Sequence, residues 1–187
     1  MKYFILSLLT VIFSNTALAA DTYTIDGNHT LPRFSYNHLG YSTQLSRFDK
    51  ASGKITLDRK AKTGVVEVKV DTKSVNTGST LFNEHIQGKD YLDTGRYPEA
   101  TFKSTQVKFD NDNIVAVDGV LTLKGISKPL VLTVTSFHCA PNPILKKDAC
   151  GANATATVKR SDFNMGKYAP LVSDEVTLEI PVEAVKD

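Results

Sequence analysis

The chain has 187 residues and a formal net charge of +2, with acidic and basic residues interspersed along its length. Because no block of like charge is long enough to follow a phosphate backbone, the sequence predicts no nucleic-acid partner. Hydrophobic residues make up 41% of the chain, which is enough for the core of a single domain of ordinary size.

The first nineteen residues have the composition of a secretory signal peptide. Lys2 precedes an apolar run from Tyr3 to Phe13, and small residues follow at Ala17-Leu18-Ala19. We expect cleavage after Ala19, with Ala20 as the alternative, which leaves residues 20–187 as one domain with a formal charge of +1. The run is too short to cross a bilayer, and no later segment reaches the ~20 apolar residues required. The sequence therefore predicts a periplasmic or secreted protein that does not span the membrane.

Apolar and polar residues alternate with a period of two between residues 26 and 70, which predicts strands. From Gly64 to Val70, Val66, Val68 and Val70 occupy one face and charged residues the other. Asp26 to His38, Thr43 to Ala51 and Lys54 to Leu57 supply the other strands, with turns at Leu39-Gly40 and Ala51-Ser52-Gly53. The inward residues that we predict on them are Phe34, Tyr36, His38, Phe48, Ile55 and Leu57.

The period changes between Thr77 and Asp93. Leu81, Phe82, Ile86 and Tyr91 fall at helical spacing after a Ser79-Thr80 start that suits a helix N-cap, with Asn83, Glu84 and Gln87 expected to face water. We predict one helix, which either plugs one end of the core or forms a lid over an opening. In a barrel these two roles coincide.

Strands resume after Tyr97-Pro98, and a change of phase beyond Ser104 predicts a bulge. A hairpin from Ile114 to Val134 turns at Gly125-Ile126-Ser127-Lys128-Pro129, where glycine and proline suit an irregular backbone. About eight strands in all favour an antiparallel barrel or sandwich. The predicted inward residues of this part are Ala100, Phe102, Ser104, Val107, Phe109, Val115, Val117, Gly119, Leu121, Leu123, Leu130, Leu132, Val134, Ala154, Ala156, Val158, Arg160, Val176, Leu178, Ile180 and Val182.

The two cysteines, Cys139 and Cys150, form an even pair in a chain with a predicted signal peptide. The ten residues between them have a loop composition, so a disulfide would close a long hairpin loop and stabilise the fold by about 3 kcal/mol. A redox-active pair is the alternative, although the Cys-x-x-Cys spacing is absent.

Five sequence blocks carry a family resemblance. They are Ile25-Asp26 with His29-Thr30, Phe34 and His38; His85 with Asp90-Tyr91-Leu92-Asp93; Tyr97-Pro98 with Thr101-Phe102-Lys103-Ser104; Gly119 to Gly125 with Lys128-Pro129; and Arg160-Ser161-Asp162-Phe163. Taken together and in order, these blocks resemble the YceI family of exported lipid-binding proteins, and the resemblance covers essentially all of residues 20–187. One departure is Leu81-Phe82-Asn83, where an Arg-Asp pair is common, and it makes the start of the helix more apolar than the family pattern.

The resemblance implies a lipocalin-like, eight-stranded antiparallel β-barrel with one short helix, holding a polyisoprenoid or similar amphiphile. Each buried methylene group contributes about 0.8 kcal/mol, so a long chain binds with few hydrogen bonds. Gly119, Ala154, Ala156 and Ser104 are the small lining residues that we expect to leave room for it. The predicted ligand-binding residues are Phe34, Tyr36, Phe48, Val66, Val68, Phe82, His85, Ile86, Tyr91, Phe102, Leu121, Leu123, Leu132, Val134, Ala156, Phe163 and Leu178.

Polar residues near the lining have two interpretations. His85 is the candidate for a ligand headgroup, with Tyr36 and Tyr91 orienting it, whereas His38 is better explained as a hydrogen-bonded core residue. Arg160 lies on an apolar face and needs a carboxylate if it is buried, which Asp162 or Asp174 would supply.

The sequence favours a carrier or sequestering protein for a quinone, such as ubiquinone, or a polyprenyl lipid, and the near-zero charge favours the uncharged quinone. A secreted interaction or stress module with a filled interior is the alternative. An enzyme acting on a lipid has less support, because the sequence has no hydrolase elbow and no clustered Cys/His set. We accordingly predict no catalytic cofactor and no metal, and we leave open a transient contact with a membrane surface and a homodimer.

Overall fold

A computed structural model describes residues 20–187, so the predicted signal peptide at 1–19 lies outside the described residues. The described part contains eleven strands, one α-helix, and two 3₁₀ turns at Thr72–Ser74 and Arg160–Phe163. The helix is α1 (Thr80–Ile86), and the strands are β1 (Asp21–Ile25), β2 (Arg33–His38), β3 (Ser42–Phe48), β4 (Ala51–Asp58), β5 (Thr63–Asp71), β6 (Val75–Asn76), β7 (Glu99–Asp110), β8 (Asn113–Leu123), β9 (Ile126–Asn142), β10 (Lys147–Lys159) and β11 (Glu175–Lys186).

Eight of these strands close into an antiparallel barrel in the order β1-β4-β5-β7-β8-β9-β10-β11, and β1 pairs again with β11. The predicted fold is therefore confirmed. The strand β11 has two partners on the same side, because residues 184–186 pair with β1 whereas residues 177–179 pair with β2. The strands β2, β3 and β6 form an extension that continues the sheet at one end of the barrel.

The inward faces of the strands form two apolar clusters, one at each end of the barrel. The deep cluster is built around Phe102, with Tyr23 and Leu57, and the other surrounds Phe163, with Phe34 and Ile86. Alternating side chains on a pleated strand place one face of every strand inside a closed sheet, so burial of that face stabilises the barrel.

Several predicted boundaries in the first part of the chain are wrong. The predicted strand from Asp26 to His38 contains a turn, and β2 begins only at Arg33, whereas β1 was not predicted. The predicted turn at residues 51–53 lies inside β4. Gly53 instead allows β4 and β5 to approach closely, because a Cβ atom there would lie 2.1 Å from the carbonyl oxygen of Glu67.

The β8–β9 hairpin is confirmed, but its turn is shorter than predicted. Only Lys124 and Gly125 form the turn, and both have positive φ, the conformation of a tight two-residue hairpin turn. Pro129 lies within β9 opposite Val120. Val115 is exposed rather than inward, because the register of β7 and β8 shifts there and Ile114 takes the buried position. The bulge predicted after Ser104 is present.

The predicted helix is present but short. The hydroxyl of Ser79 accepts a hydrogen bond from the backbone N–H of Phe82, which is the expected N-cap. Ile86 is buried, whereas Leu81 is 79% exposed and does not face the core. Asn83 does not simply face water, because its side-chain oxygen accepts hydrogen bonds from the backbone and hydroxyl of Thr77.

The disulfide between Cys139 and Cys150 is confirmed and joins paired positions of β9 and β10, with the Cα atoms 4.1 Å apart. The loop composition of the residues between them was misleading. Strand β9 continues to Asn142 and β10 begins at Lys147, so only residues 143–146 connect them. The bridge therefore ties together the far part of a long hairpin.

Arg160 is buried and forms no salt bridge with a carboxylate of residues 20–187, which corrects the prediction that Asp162 or Asp174 would supply one. Its guanidinium group donates hydrogen bonds to four backbone carbonyls of the segment that precedes β11. Asp174 instead accepts hydrogen bonds from the backbone and hydroxyl of Ser161, and these bonds lower the pKa of its carboxyl group. The four acceptors are the carbonyl oxygens of Met165, Lys167, Val172 and Ser173.

We predict that replacing both Cys139 and Cys150 with serine lowers the free energy of unfolding by about 3 kcal/mol, because the unfolded chain regains the freedom of the loop. Urea denaturation followed by circular dichroism measures the change. A reductant should shift the wild-type curve toward that of the variant and leave the variant unchanged. Equal stability of the oxidised and variant proteins would contradict the prediction.

We predict that Arg160→Met lowers the free energy of unfolding by about 3–5 kcal/mol, because four carbonyl groups, one buried and three partly buried, lose their donor. The matched control is Lys159→Met at the exposed neighbouring position, which should change stability by no more than about 0.5 kcal/mol. Thermal unfolding of both variants is the measurement. Similar melting temperatures for the two would show that the carbonyl cluster needs no guanidinium.

Candidate functional site

Three cavities lie inside the barrel and follow one another along its length. The deep cavity has a volume of about 160 Å³ and is walled by apolar residues of β1, β4, β5 and β7 to β11, including Val66, Phe102 and Leu132. The middle cavity, also about 160 Å³, has Phe48, Leu123 and Leu178 in its wall. The outer cavity, about 180 Å³, lies between β2, α1 and residues 168–176.

Neighbouring cavities share wall residues, so the three lie end to end in a row that we call the hollow. Five residues border both the deep and the middle cavity, and five others border both the middle and the outer cavity. The hollow opens at the outer cavity, where the wall residues His85 and Tyr168 are exposed. The shared residues are Pro32, Val70, Ala100, Leu121 and Ile180 for the first pair, and Phe34, Ile86, Tyr91, Arg160 and Val176 for the second.

Most of the residues predicted to bind a ligand lie on these walls. Two do not: Ala156 is flanked on its strand by the wall residues Ala154 and Val158, and Phe163 is 2% exposed and packed in the core. Contact with a ligand stays a prediction for all of them. The residues on the walls are Phe34, Tyr36, Phe48, Val66, Val68, Phe82, His85, Ile86, Tyr91, Phe102, Leu121, Leu123, Leu132, Val134 and Leu178.

The space inside the barrel does not come from all the small residues that we predicted. A Cβ atom on Gly119 would lie 2.5 Å from the ring of Phe102, so the phenylalanine already fills that position. The hydroxyl of Ser104 accepts a hydrogen bond from the backbone of Val66. Ala100 and Ala154 do border the deep cavity. Each is paired with a valine on the neighbouring strand, Val70 and Val134, and these small side chains leave the cavity unfilled.

Sequence patterns missed the wall residues that come from irregular segments. Tyr168 and Val172 border the outer cavity from the segment between the second 3₁₀ turn and β11, and Pro32 lies just before β2. None of these segments has a period, so no pattern could assign their side chains to the interior. An apolar composition around Val172 is the one signal that was available.

A few polar groups lie at the outer end of the otherwise apolar hollow. Tyr36 is 8% exposed and borders the outer cavity, and its hydroxyl has no hydrogen-bond partner among the described residues. Burial raises the pKa of Tyr36, so the hydroxyl keeps its proton and can donate it. The ring of His85 stacks on that of Phe82, with centroids 5.8 Å apart, and is tilted by 53° to that of Tyr91, with centroids 4.8 Å apart.

Residues 20–187 contain neither a clustered metal site nor a helix that could span a membrane. Within that range, no cluster of three or more His, Cys, Asp or Glu side chains is arranged to hold a metal ion. No helix in the same range combines the length and the apolar character that a membrane span requires.

The sequence relatives agree with this architecture. A family model described as YceI-like domain matches residues 23–184. The chain is 36% identical over 184 residues to the protein named YceI from an Escherichia coli O6:H1 strain, which covers 97% of this chain and 95% of that protein. It is 34% identical over 178 residues to a Shewanella oneidensis protein, covering 94% and 93% of the two chains.

Solved structures share the fold. BcnA from Burkholderia cenocepacia is 26% identical, with a TM-score of 0.74 over 85% of this chain and 98% of that one. The Campylobacter jejuni YCEI protein is 28% identical, with a TM-score of 0.69 over 81% and 90%. A Saccharophagus degradans domain described as polyisoprenoid-binding has a TM-score of 0.64 at 20% identity, over 88% and 98%. The match of the family model across residues 23–184, with 36% identity to YceI over nearly the whole length, shows that this chain belongs to the YceI-like family.

Proposed function

We propose that this protein is exported and binds a long-chain isoprenoid amphiphile, a quinone or a polyprenyl lipid, inside its barrel, as a carrier or sequestering protein rather than an enzyme. The observation that carries the proposal is the row of three adjoining, mostly apolar cavities from the outer end of the barrel to the deep end. The description of the Saccharophagus degradans domain as polyisoprenoid-binding supports the same class of ligand.

The walls of the hollow favour an apolar occupant over water. An apolar cavity of about 150 Å³ stays dry and takes up small hydrocarbons, because water inside it would lack hydrogen-bond partners. Leaving such a cavity empty costs stability, on the order of a few kcal/mol for each cavity of this size. A bound hydrocarbon chain restores the contacts that the walls lack.

The shape of the hollow favours a slender chain. Three cavities joined end to end suit a linear prenyl tail, whereas a globular ligand of the same volume would need one wide chamber. The tail would extend past Ala100 toward Cys150 at the deep end, and the headgroup would stay in the outer cavity near Tyr36.

The polar groups of the outer cavity favour a headgroup that accepts hydrogen bonds. The hydroxyl of Tyr36 is a buried donor without a partner, and the charge of Arg160 at the next junction favours electron-rich groups. A quinone carbonyl meets both conditions without bringing a net charge into the barrel. We therefore assign the quinone as the preferred headgroup.

The alternative, an interaction module that uses only its outer surface, requires a filled interior. The cavities of 160 to 180 Å³ argue against that requirement. A hollow core in a protein with no internal ligand would lower its stability with no compensating contact.

We predict that Ala100→Leu reduces the loading of lipid by more than about half, because a larger side chain at the junction of the deep and middle cavities blocks the tail. Native mass spectrometry of the gently purified protein measures the loaded fraction. Ala116→Leu is the control, since Ala116 lies on the outward face of β8 beside the wall residue Val117. Ile180→Phe is a second blocking variant at the same junction. If the Ala100→Leu and Ile180→Phe proteins fold and still carry as much lipid as the wild type, the proposal is contradicted.

We predict that Tyr36→Phe weakens binding of a ubiquinone with a two-isoprene tail by about 3- to 10-fold, because a hydrogen bond to the carbonyl is lost. The affinity for squalene, a prenyl chain without a headgroup, should not change. Fluorescence displacement or calorimetry on wild type and variant measures both affinities. An equal loss for the two ligands would assign Tyr36 to packing, and no loss for either would exclude it from the headgroup site.

A further inference from the structure

Five large side chains surround the opening of the hollow and are directed into solvent. We name this set the mouth rim. Its members are 45% to 87% exposed and account for five of the eleven exposed large hydrophobic residues in the described part of the chain. They come from the β2–β3 turn, the first turn of α1 and the segment before β11: Leu39, Tyr41, Leu81, Tyr168 and Leu171.

Backbone contacts hold the three segments of the mouth rim next to one another. The N–H of Leu39 donates to the carbonyl oxygen of Leu171 at 3.1 Å, and His38 forms an isolated bridge with Val172. Leu81 adjoins Phe82, whose side chain borders the outer cavity together with His38 and Val172. The three segments that carry the mouth rim therefore all adjoin the outer cavity.

Two residues of the mouth rim have a backbone conformation that does not favour their residue type. Leu39 and Tyr168 both have positive φ, 56° and 65°, a conformation that asparagine and glycine adopt at lower cost. Leu39 is 45% exposed and Tyr168, which also borders the outer cavity, is 56% exposed, so a large part of each side chain is not buried within the chain. Their apolar surface is available to something outside it.

We infer that the mouth rim docks on the surface of a lipid bilayer, with its leucines inserted at the boundary between headgroups and acyl chains. The inference rests on the proposed function, because a prenyl tail that passes between the bilayer and the hollow avoids water only if the opening faces the lipid. Tyrosine with leucine is the composition of an interfacial anchor, since the ring is apolar and the hydroxyl stays hydrated. A second protein surface is the competing occupant.

The lysine that contacts the mouth rim is paired with a carboxylate, so we expect the docking to be hydrophobic. Lys167 forms a salt bridge with Asp90 and lies over the ring of Tyr168, 5.3 Å from its centroid. The docking should therefore occur on neutral phosphatidylcholine vesicles and should change by less than about twofold between about 50 mM and about 500 mM NaCl.

The test uses the absence of tryptophan from the sequence. Tyr41→Trp places a single reporter in the mouth rim, and Leu145→Trp places one at the exposed β9–β10 connection at the far end of the barrel. With phosphatidylcholine vesicles that carry brominated acyl chains, we expect a blue shift and quenching for the reporter at position 41 and neither for the one at 145. Quenching at both positions, or at neither, overturns the inference.

A co-sedimentation experiment with the same vesicles tests the leucines. The triple variant L39S/L81S/L171S should lower the partition coefficient by at least about tenfold, whereas the matched control V131S/I144S/L145S, with similar exposure away from the opening, should stay within about twofold. Equal partitioning of the two variants overturns the inference. Loss of a dimer in the first variant, measured by light scattering, would instead assign the mouth rim to contact between copies.

Binding of the two-isoprene ubiquinone, measured without vesicles, separates this inference from the proposed function. The L39S/L81S/L171S variant should bind it with wild-type affinity, because none of the three residues borders a cavity. Wild-type ligand binding without vesicle binding would overturn the docking alone. Failure of the wild-type protein to bind the ubiquinone would overturn the proposed function.

Discussion

One edge of β11 pairs with two different strands, and this arrangement determines where the barrel closes and where it opens. The last residues of β11 pair with β1 and close the barrel, whereas residues 177–179 pair with β2 instead. A strand edge must be paired or covered, and here the extension of β2, β3 and β6 together with α1 completes the wall that β1 does not reach. The barrel is therefore closed by strands at the deep end and bounded by a helix and loops at the end that opens.

The barrel is stabilised outside its hollow interior. An eight-stranded barrel has an interior that side chains can fill, and here alanines and valines line it where larger residues would meet. Because the interior is not filled, its walls make fewer packing contacts. Interactions at both ends of the barrel compensate for this loss. The Cys139–Cys150 bridge ties the far part of the β9–β10 hairpin, and Arg160 holds the segment before β11 through four carbonyl groups.

Polarity changes in one direction along the hollow. The deep cavity is walled almost wholly by hydrocarbon side chains, the middle cavity ends at Arg160, and the outer cavity contains Tyr36, His38 and His85. Beyond it, the mouth rim is apolar again and exposed. An amphiphile would match this order with its tail inward and its headgroup near the opening. The same order gives the opening, rather than the deep end, the composition that suits a lipid surface.

The strands with clean alternation, the N-cap of α1, the cysteine pair and the family could all be predicted from the sequence, because a period of two or a short motif is a local property. Most of the wall residues, such as Val66 and Leu132, followed from that alternation. The carbonyl partners of Arg160, the filling of Gly119 by Phe102 and the exposure of Leu81 could be read only from the folded chain. They depend on how an irregular segment folds back on Arg160, how neighbouring strands pack and how α1 is oriented, and no local period or motif specifies these arrangements.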